Sequence, residues 1–367
     1  MISEFRNILV VQLGDIGDVV LTIPTIRTIK ENCPDARVSI LVRKPYGDLL
    51  VADPNLYEVV ESERIGGSLL HRIRGYAAFA RQLRGARYDL VVDLRTGDRG
   101  AILSFLTGAQ VRIGWRDGKT PIWIDTLYTE VLRNIPYAPP PVHPGSEQSL
   151  RILRALGMDA ADSTPRLAVA PDDRARALIL LGNYGFGLNK RFYTVNPCSR
   201  WKYKEWEYQK WGELIDTIWR RYQLPAVLVG SQEDRSATSS IAKGRDGYVA
   251  DLAGNTTLGE LAACLSGAVF HLGIDSAASH IAFAVETPTI TIFGPGNWKG
   301  WTISDSMHRI VTADMPCVPC GRKGCNDSGK SRCLDDLEVG TVFKSVVELL
   351  EAVGTSDHSW LLTESRT

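Results

Sequence analysis

Asn7-Ile8-Leu9-Val10-Val11-Gln12-Leu13 runs into Gly14-Asp15-Ile16-Gly17-Asp18, and the reading of this join decides the fold. The first part is a short apolar, β-branched run of the kind that forms a buried strand, and the second is a glycine turn. After the turn, Val19, Leu21, Ile23, Ile26 and Ile29 form an apolar face compatible with a helix despite Pro24. Strand, glycine turn and helix recur downstream. Residues 38–42 read as a strand, 59–60 as a short one, 69–83 as an amphipathic helix and 89–94 as a fully buried strand. Strands alternating with helices predict a parallel sheet with right-handed crossovers.

Residues 134–146, Asn-Ile-Pro-Tyr-Ala-Pro-Pro-Pro-Val-His-Pro-Gly-Ser, are irregular, because proline is excluded from helix interiors and central strands. A helix is expected over 147–156, closed by Gly157, and the domain boundary is expected at Pro171. The alternation then restarts. Helices are expected at 172–184, 206–222, 234–243, 257–265, 277–285 and 339–353, and strands at 192–196, 226–229, 248–252, 269–273 and 289–293. The fold class is therefore α/β, with two doubly wound halves: residues 1–170, residues 171–354, and a tail at 355–367. A length of 367 residues suits two domains, and no repeat of 20 to 50 residues points to a solenoid.

Lysine plus arginine and aspartate plus glutamate both number 42, so the formal net charge is zero and nothing in the whole-molecule charge favours nucleic acid as a partner. The balance is uneven along the chain. Eight arginines (64, 72, 74, 81, 84, 87, 95 and 99) stand against Asp89, Asp93 and Asp98, whereas 335–357 is acidic. No stretch is long and apolar enough to span a membrane. Ile8 to Val11 looks like the start of a signal core, but Gln12, Asp15 and Asp18 interrupt it, and a cytoplasmic protein is expected.

Three constellations carry chemistry. Gly14, Gly17 and Asp18 lie where open α/β sheets bind ligands, outside the carboxyl end of a strand; Asp18 serves there as a general base or simply as a helix cap. The strand at 192–196 leads into Asn196-Pro197-Cys198-Ser199-Arg200-Trp201-Lys202-Tyr203-Lys204-Glu205-Trp206, whose cations suit a phosphate or diphosphate. The other reading is a solvated basic loop with Trp201 and Trp206 as packing residues. The strand at 269–273 delivers Asp275 and Ser276 to a helix start, with His280 one turn in; capping is again the plain alternative.

The ordered set resembles the heptosyltransferase family of lipopolysaccharide biosynthesis. It comprises Ile-Gly-Asp-Val-Val-Leu-Thr-Ile-Pro at 16–24, Ser-Arg-Trp-Lys-Tyr-Lys-Glu-Trp at 199–206 and Asp-Ser-Ala-Ala-Ser-His-Ile-Ala at 275–282 before Phe293-Gly294-Pro295. Tyr88 to Leu94, Arg112-Ile113-Gly114 and Asp251 to Leu258 add to it, so that roughly residues 7–350 are covered. The resemblance implies two Rossmann-like domains facing across a cleft (GT-B type), with the acceptor on the first and the nucleotide sugar on the second. It further implies an inverting transfer of heptose from ADP-heptose to a lipopolysaccharide-core or related glycan acceptor, with no cofactor required for catalysis. Asp18 falls on the family's general base, with Gly14 and Gly17 in the acceptor-side loop. Lys204, Asp275, Ser276 and His280 fall on its donor site, and Ser199 and Arg200, from the cationic loop itself, complete the expected donor-binding set. The residues agree with those roles: no Asp-x-Asp cluster is seen, so side-chain cations would meet the leaving diphosphate. Three positions depart from the family pattern: Gln12 replaces a frequent arginine, Cys198 a common glycine and Ala277 a frequent glycine beside the donor. The arginine-rich segment 64–99 would dock phosphorylated lipid saccharide, with peripheral contact at the inner membrane.

Cys317-x2-Cys320-x4-Cys325-x7-Cys333, in the loop 315–334, has spacing suited to a structural zinc site. Two local disulfides and a loop of free thiols are the alternatives. The competing functional classes are a non-catalytic sugar-nucleotide or glycan-binding protein on the same scaffold and a transferase using a different nucleotide sugar. A nicotinamide oxidoreductase is disfavoured by the missing Gly-x-Gly-x-x-Gly.

Overall fold

The computed structural model describes residues 4–116, 121–139, 141–186 and 190–354; the expected tail at 355–367 lies outside the described residues. The chain divides into two compact units, Met1–Ala168 and Val169–Thr367.

The first unit is built from β1 (Asn7–Gln12), α1 (Ile16–Leu21), α2 (Ile23–Asn32), β2 (Arg37–Arg43), β3 (Glu58–Ser62) and α3 (Leu69–Gly85). They are followed by β4 (Leu90–Asp93), α4 (Asp98–Leu106), β5 (Val111–Arg116), β6 (Glu130–Arg133) and α5 (Pro144–Ala155). Its six strands are all parallel, in the order β3-β2-β1-β4-β5-β6. Ile8 to Val11 are fully buried, as a central parallel strand covered on both faces requires. The helical pattern after the first turn is broken in two at Thr22, where Pro24 opens α2 in a position that tolerates its missing N–H.

The second unit comprises α6 (Pro171–Gly182), β7 (Tyr193–Asn196), α7 (Tyr208–Tyr222), β8 (Ala226–Leu228), α8 (Arg235–Ala242) and β9 (Val249–Asp251). After these come α9 (Leu258–Ser266), β10 (His271–Ile274), α10 (Ala277–Ala284), β11 (Thr289–Ile292), β12 (His308–Val311), α11 (Arg332–Asp335) and α12 (Val339–Gly354). The sheet order is β12-β11-β10-β7-β8-β9, again all parallel. Counted from its own first strand, each sheet has the order 3-2-1-4-5-6, in which the connections change direction between the first and fourth strands. That switch point is where open α/β sheets leave a crevice for ligands. It falls between β1 and β4 in one unit and between β7 and β10 in the other.

Both doubly wound halves are thus as expected, with differences at the margins. The helix expected at 147–156 begins three residues earlier, because Pro144 occupies its first turn, where proline is favoured. Strands β5, β6 and β12 and helices α4 and α11 were not anticipated; three of the five are strands at or near sheet edges, carrying arginine, glutamate or histidine. In the second core Trp206 and Trp211 pack edge to face with ring centroids 5.2 Å apart, both buried. Burying a large side chain of this kind contributes about 1.5–3 kcal/mol. Trp206 also donates its indole N–H to the Leu337 carbonyl at 3.0 Å, tying the segment after β7 to the approach of α12. Trp201 is exposed instead, so only one of the two tryptophans expected as packing residues packs.

Candidate active site

Asp18 takes part in capping its helix, as the third-position member of a capping box and not as the N-cap residue. Asp15 holds the N-cap position of α1, and Asp18, three residues on, accepts the Asp15 backbone N–H on Oδ2 at 2.8 Å. Gly14 is required by close approach: a β-carbon there would lie 2.3 Å from Asp18 Oδ2. The Gly14 carbonyl in turn accepts from Arg43 Nε at 2.9 Å, and Arg43 also pairs with Asp15 at 2.5 Å. The turn is therefore clamped from the end of β2, with the Asp18 carboxylate folded over it. Gly17 lies in the first turn of α1.

The second oxygen of Asp18, Oδ1, receives Arg95 Nη1 at 3.3 Å. Arg95 follows β4, so the pair bridges the switch point of the first sheet. Its turn is built on Asp93, which is completely buried. Asp93 Oδ1 accepts the backbone N–H groups of Arg95 and Thr96, each at 3.0 Å, and Oδ2 accepts the Tyr128 hydroxyl at 2.6 Å. Burial pushes the Asp93 carboxyl above its ordinary range, and these three donors work against that shift. Burial, and then the neighbouring Asp93 charge, drives the Tyr128 phenol far upward, which keeps it a donor.

Asp18 and Arg95 stand on the wall of a cavity of about 210 Å³. Gln12, Thr22, Trp115, Gln148 and Ser149 contribute most of the remaining polar and aromatic lining. Gln12 is buried; it donates to Thr22 Oγ1 at 2.8 Å and accepts the Gly14 N–H at 3.0 Å. Trp115 is held by its indole N–H on the Leu94 carbonyl at 2.8 Å and by the Arg151 guanidinium over its ring at 4.5 Å. Sequence reasoning missed Arg95, Trp115 and Gln148 as site residues. Arg95 was visible only as one of a run of arginines, Trp115 comes from a strand that was not anticipated, and Gln148, though inside the expected helix, carries no local signal that it faces a cavity.

In the second unit, Lys204 Nζ lies 2.6 Å from Asp275 Oδ2, and both side chains are largely buried. Lys204 follows β7 and Asp275 follows β10, so this pair too bridges a switch point. Gly296 leaves room for this carboxylate, since a β-carbon there would lie 2.6 Å from Asp275 Oδ2 and the carboxylate would have to shift. Ser276 is the N-cap residue of α10, yet its hydroxyl donates to Asn196 Oδ1 at 2.8 Å instead of capping the helix; Asn196 donates onward to the Val229 carbonyl at 2.9 Å. Asp275, Ser276 and His280 line one small depression with Thr289 and Thr291. Ser199 lies at the start of the loop, its N–H on Glu205 Oε1 at 2.9 Å. Lys202 is paired with that same Glu205 at 2.8 Å. Arg200 is exposed, its guanidinium 5.4 Å from the Trp201 ring.

The cysteine-rich loop braces these elements. The Ser331 hydroxyl donates to the Tyr203 carbonyl at 2.5 Å, the Gly321 N–H to the Pro295 carbonyl at 2.7 Å, and Lys323 stands 6.0 Å from the Trp201 ring. Cys317, Cys320 and Cys325 are exposed and Cys333 is buried, all as free thiols. Burial, then the other three cysteines, push the Cys333 thiol up to about 11. Among the described residues no three His, Cys, Asp or Glu side chains converge as ligands for an ion. Cys333 packs inward at α11, whereas Cys317, Cys320 and Cys325 face solvent near it.

Residues 76–330 match the profile of glycosyltransferase family 9 (heptosyltransferase). Lipopolysaccharide heptosyltransferase 3 of Escherichia coli is 28% identical over 312 residues, covering 83% of this chain and 88% of its own length. Among solved structures, the E. coli ADP-heptose lipopolysaccharide heptosyltransferase II superposes with a TM-score of 0.75 at 18% identity, over 95% of this chain and 99% of the other. E. coli heptosyltransferase WaaC, solved with ADP-2-deoxy-2-fluoro heptose, gives 0.69 at 19% identity, over 94% and 99%.

Proposed function

Because the chain belongs to glycosyltransferase family 9, the heptosyltransferases, we propose that it transfers heptose from ADP-heptose to a lipopolysaccharide-core acceptor with inversion at the anomeric carbon. The observation that carries the proposal is the pair of bridged switch points: an acid held by an arginine in one unit and a lysine held by an acid in the other.

Asp18 acts as the general base. Its carboxylate takes the proton of an acceptor hydroxyl, whose oxygen then bonds to the anomeric carbon. The bond from that carbon to the β-phosphate oxygen breaks on the opposite face, and its electron pair leaves on ADP. Lys204 meets the charge that grows on the diphosphate. Asp275 occupies one of the ammonium's three donors and fixes its position, so the others remain to be aimed at phosphate oxygens without reorganisation. Ser276, His280 and the first amides of α10 complete the donor site, with Ser199 and Arg200 at its entrance. In this reading side-chain cations and amides neutralise the leaving group, and Arg95 keeps the Asp18 carboxylate turned toward its cavity. The wall of Gln12, Trp115, Gln148 and Ser149 offers an aromatic face with amide and hydroxyl groups, which suits a sugar.

The relatives named above support the donor and the acceptor class. The experiment is ADP release from ADP-heptose with and without a heptose-acceptor core oligosaccharide. Acceptor-dependent release with formation of an elongated saccharide is expected. Tight ADP-heptose binding with no product would instead make the chain a non-catalytic binding protein.

A further inference from the structure

Helix α3 is at odds with ordinary packing. Of its 17 residues only Leu83 is buried, and Phe79 is half-buried against the core of the first unit. Its first half carries Leu69, Leu70, Ile73 and Tyr76 at 70%, 68%, 55% and 43% exposure. Leu69, Ile73, Tyr76 and Ala80 follow one another at spacings of three and four, so they form one stripe, with Leu70 and Ala77 beside it. Side chains of this size left together in water mark a surface that meets something.

The charges say what. The helix contains Arg72, Arg74, Arg81 and Arg84 and no aspartate or glutamate. Arg74 and Arg81, seven residues apart, flank the stripe on the Leu70 side, and Arg72 flanks it on the other. A second copy of the chain docked through this face would set arginines against arginines. An anionic bilayer surface accepts both components, since aliphatic and aromatic side chains enter the headgroup boundary while guanidinium groups meet lipid phosphates. No helix among the described residues is long and apolar enough to cross a membrane, so the helix would lie in the surface.

We propose that α3 is an interfacial docking helix for anionic lipid bilayers, with Leu69, Leu70, Ile73 and Tyr76 inserted and Arg72, Arg74 and Arg81 on phosphates. This stands on the surface of the first unit and does not depend on the glycosyl-transfer reading. It would be tested by co-sedimentation of the full chain with phosphatidylglycerol/phosphatidylethanolamine vesicles and with phosphatidylcholine vesicles. Two variants would be compared: Leu69→Ser with Leu70→Ser and Ile73→Ser, and Arg72→Gln with Arg74→Gln and Arg81→Gln. Circular dichroism and analytical ultracentrifugation would establish that each variant folds and in what oligomeric state. The proposal expects binding to the anionic vesicles that weakens with salt, at least tenfold weaker binding in each folded variant, and little binding to phosphatidylcholine. Absence of wild-type binding would overturn it. So would unchanged binding in the serine variant, which would reduce the effect to charge alone, or a wild-type dimer that the serine variant loses.

Discussion

Lys204 and Asp275 meet at 2.6 Å across the switch point of the second sheet, as Arg95 and Asp18 meet at 3.3 Å across that of the first. The signs are exchanged. In the first unit the acid follows the first strand and the cation the fourth; in the second unit the cation follows the first and the acid the fourth. Each sheet order creates the crevice, and each pair joins its two sides, so that one topology presents a carboxylate held by a guanidinium in one half and an ammonium held by a carboxylate in the other, the groups that the proposed mechanism uses as base and anion receptor.

Replacing Lys204 should weaken nucleotide binding while sparing the fold. In Lys204→Ala the diphosphate loses its positioned cation and Asp275 is left without its partner. ADP affinity, measured by calorimetry, is expected to fall at least ~10-fold, in line with a charged hydrogen bond of about 1.5–3 kcal/mol. Unchanged affinity would remove Lys204 from the donor site.

Tyr128 is connected to Asp18 through Asp93 and Arg95. Tyr128→Phe leaves the buried Asp93 short of one donor, which should cost about 1–3 kcal/mol of stability by denaturant titration. It also loosens the turn that presents Arg95, so kcat is expected to fall more than KM changes. Arg95→Ala should show the same kinetic loss with a smaller effect on stability, because Arg95 is half exposed.

Gly14→Ala tests the fit of the Asp18 carboxylate over its turn. With a β-carbon 2.3 Å from Oδ2, either the carboxylate or the turn must shift. A destabilisation of about 1–3 kcal/mol is expected from such overpacking. Turnover should fall steeply with ADP binding retained; normal turnover would mean that the position of Asp18 is not needed.

How much of this was legible beforehand follows from where the information lies. The 7–18 strand and turn could be read because a fully buried parallel strand is a continuous apolar run. Edge strands β6 and β12 could not, since Glu130, Arg133, His308 and Arg309 dilute the pattern. Asp18, Lys204 and Asp275 stood out because each follows a readable strand and sits in a motif of the resembled family. Arg95 also follows a readable strand but lies in no such motif, and its meaning depends on β4 lying beside β1, a long-range fact of sheet order. For a similar reason the cysteine spacing did not show that Cys333, of the four, is the thiol turned inward, as sequence distance alone does not give side-chain orientation.

His271 predicts an acid dependence of stability. Burial lowers its pKa from 6.5 to about 3; Nδ1 is bonded to Thr194 Oγ1 at 3.0 Å, and Nε2 has no hydrogen-bond partner among the described residues. The folded chain therefore keeps this imidazole neutral, while the unfolded chain takes up a proton once the pH falls below about 6.5. Stability from this group is complete above that value and declines as the pH falls toward about 3, by up to about 1.4 kcal/mol per pH unit. Urea titrations at several pH values should show this component in the native chain and its absence in His271→Gln. Equal slopes in the two proteins would contradict it.

The central claim, that Asp18 is the base for a transfer whose donor is held in the second unit, is tested most directly by Asp18→Asn. ADP release in the presence of acceptor and the thermal shift produced by ADP would be measured on the same preparation. The expected result is turnover lowered by roughly 10²–10⁴-fold, the range for a positioned general base, with the ADP shift unchanged. Near-normal turnover in a variant that binds ADP normally would contradict it.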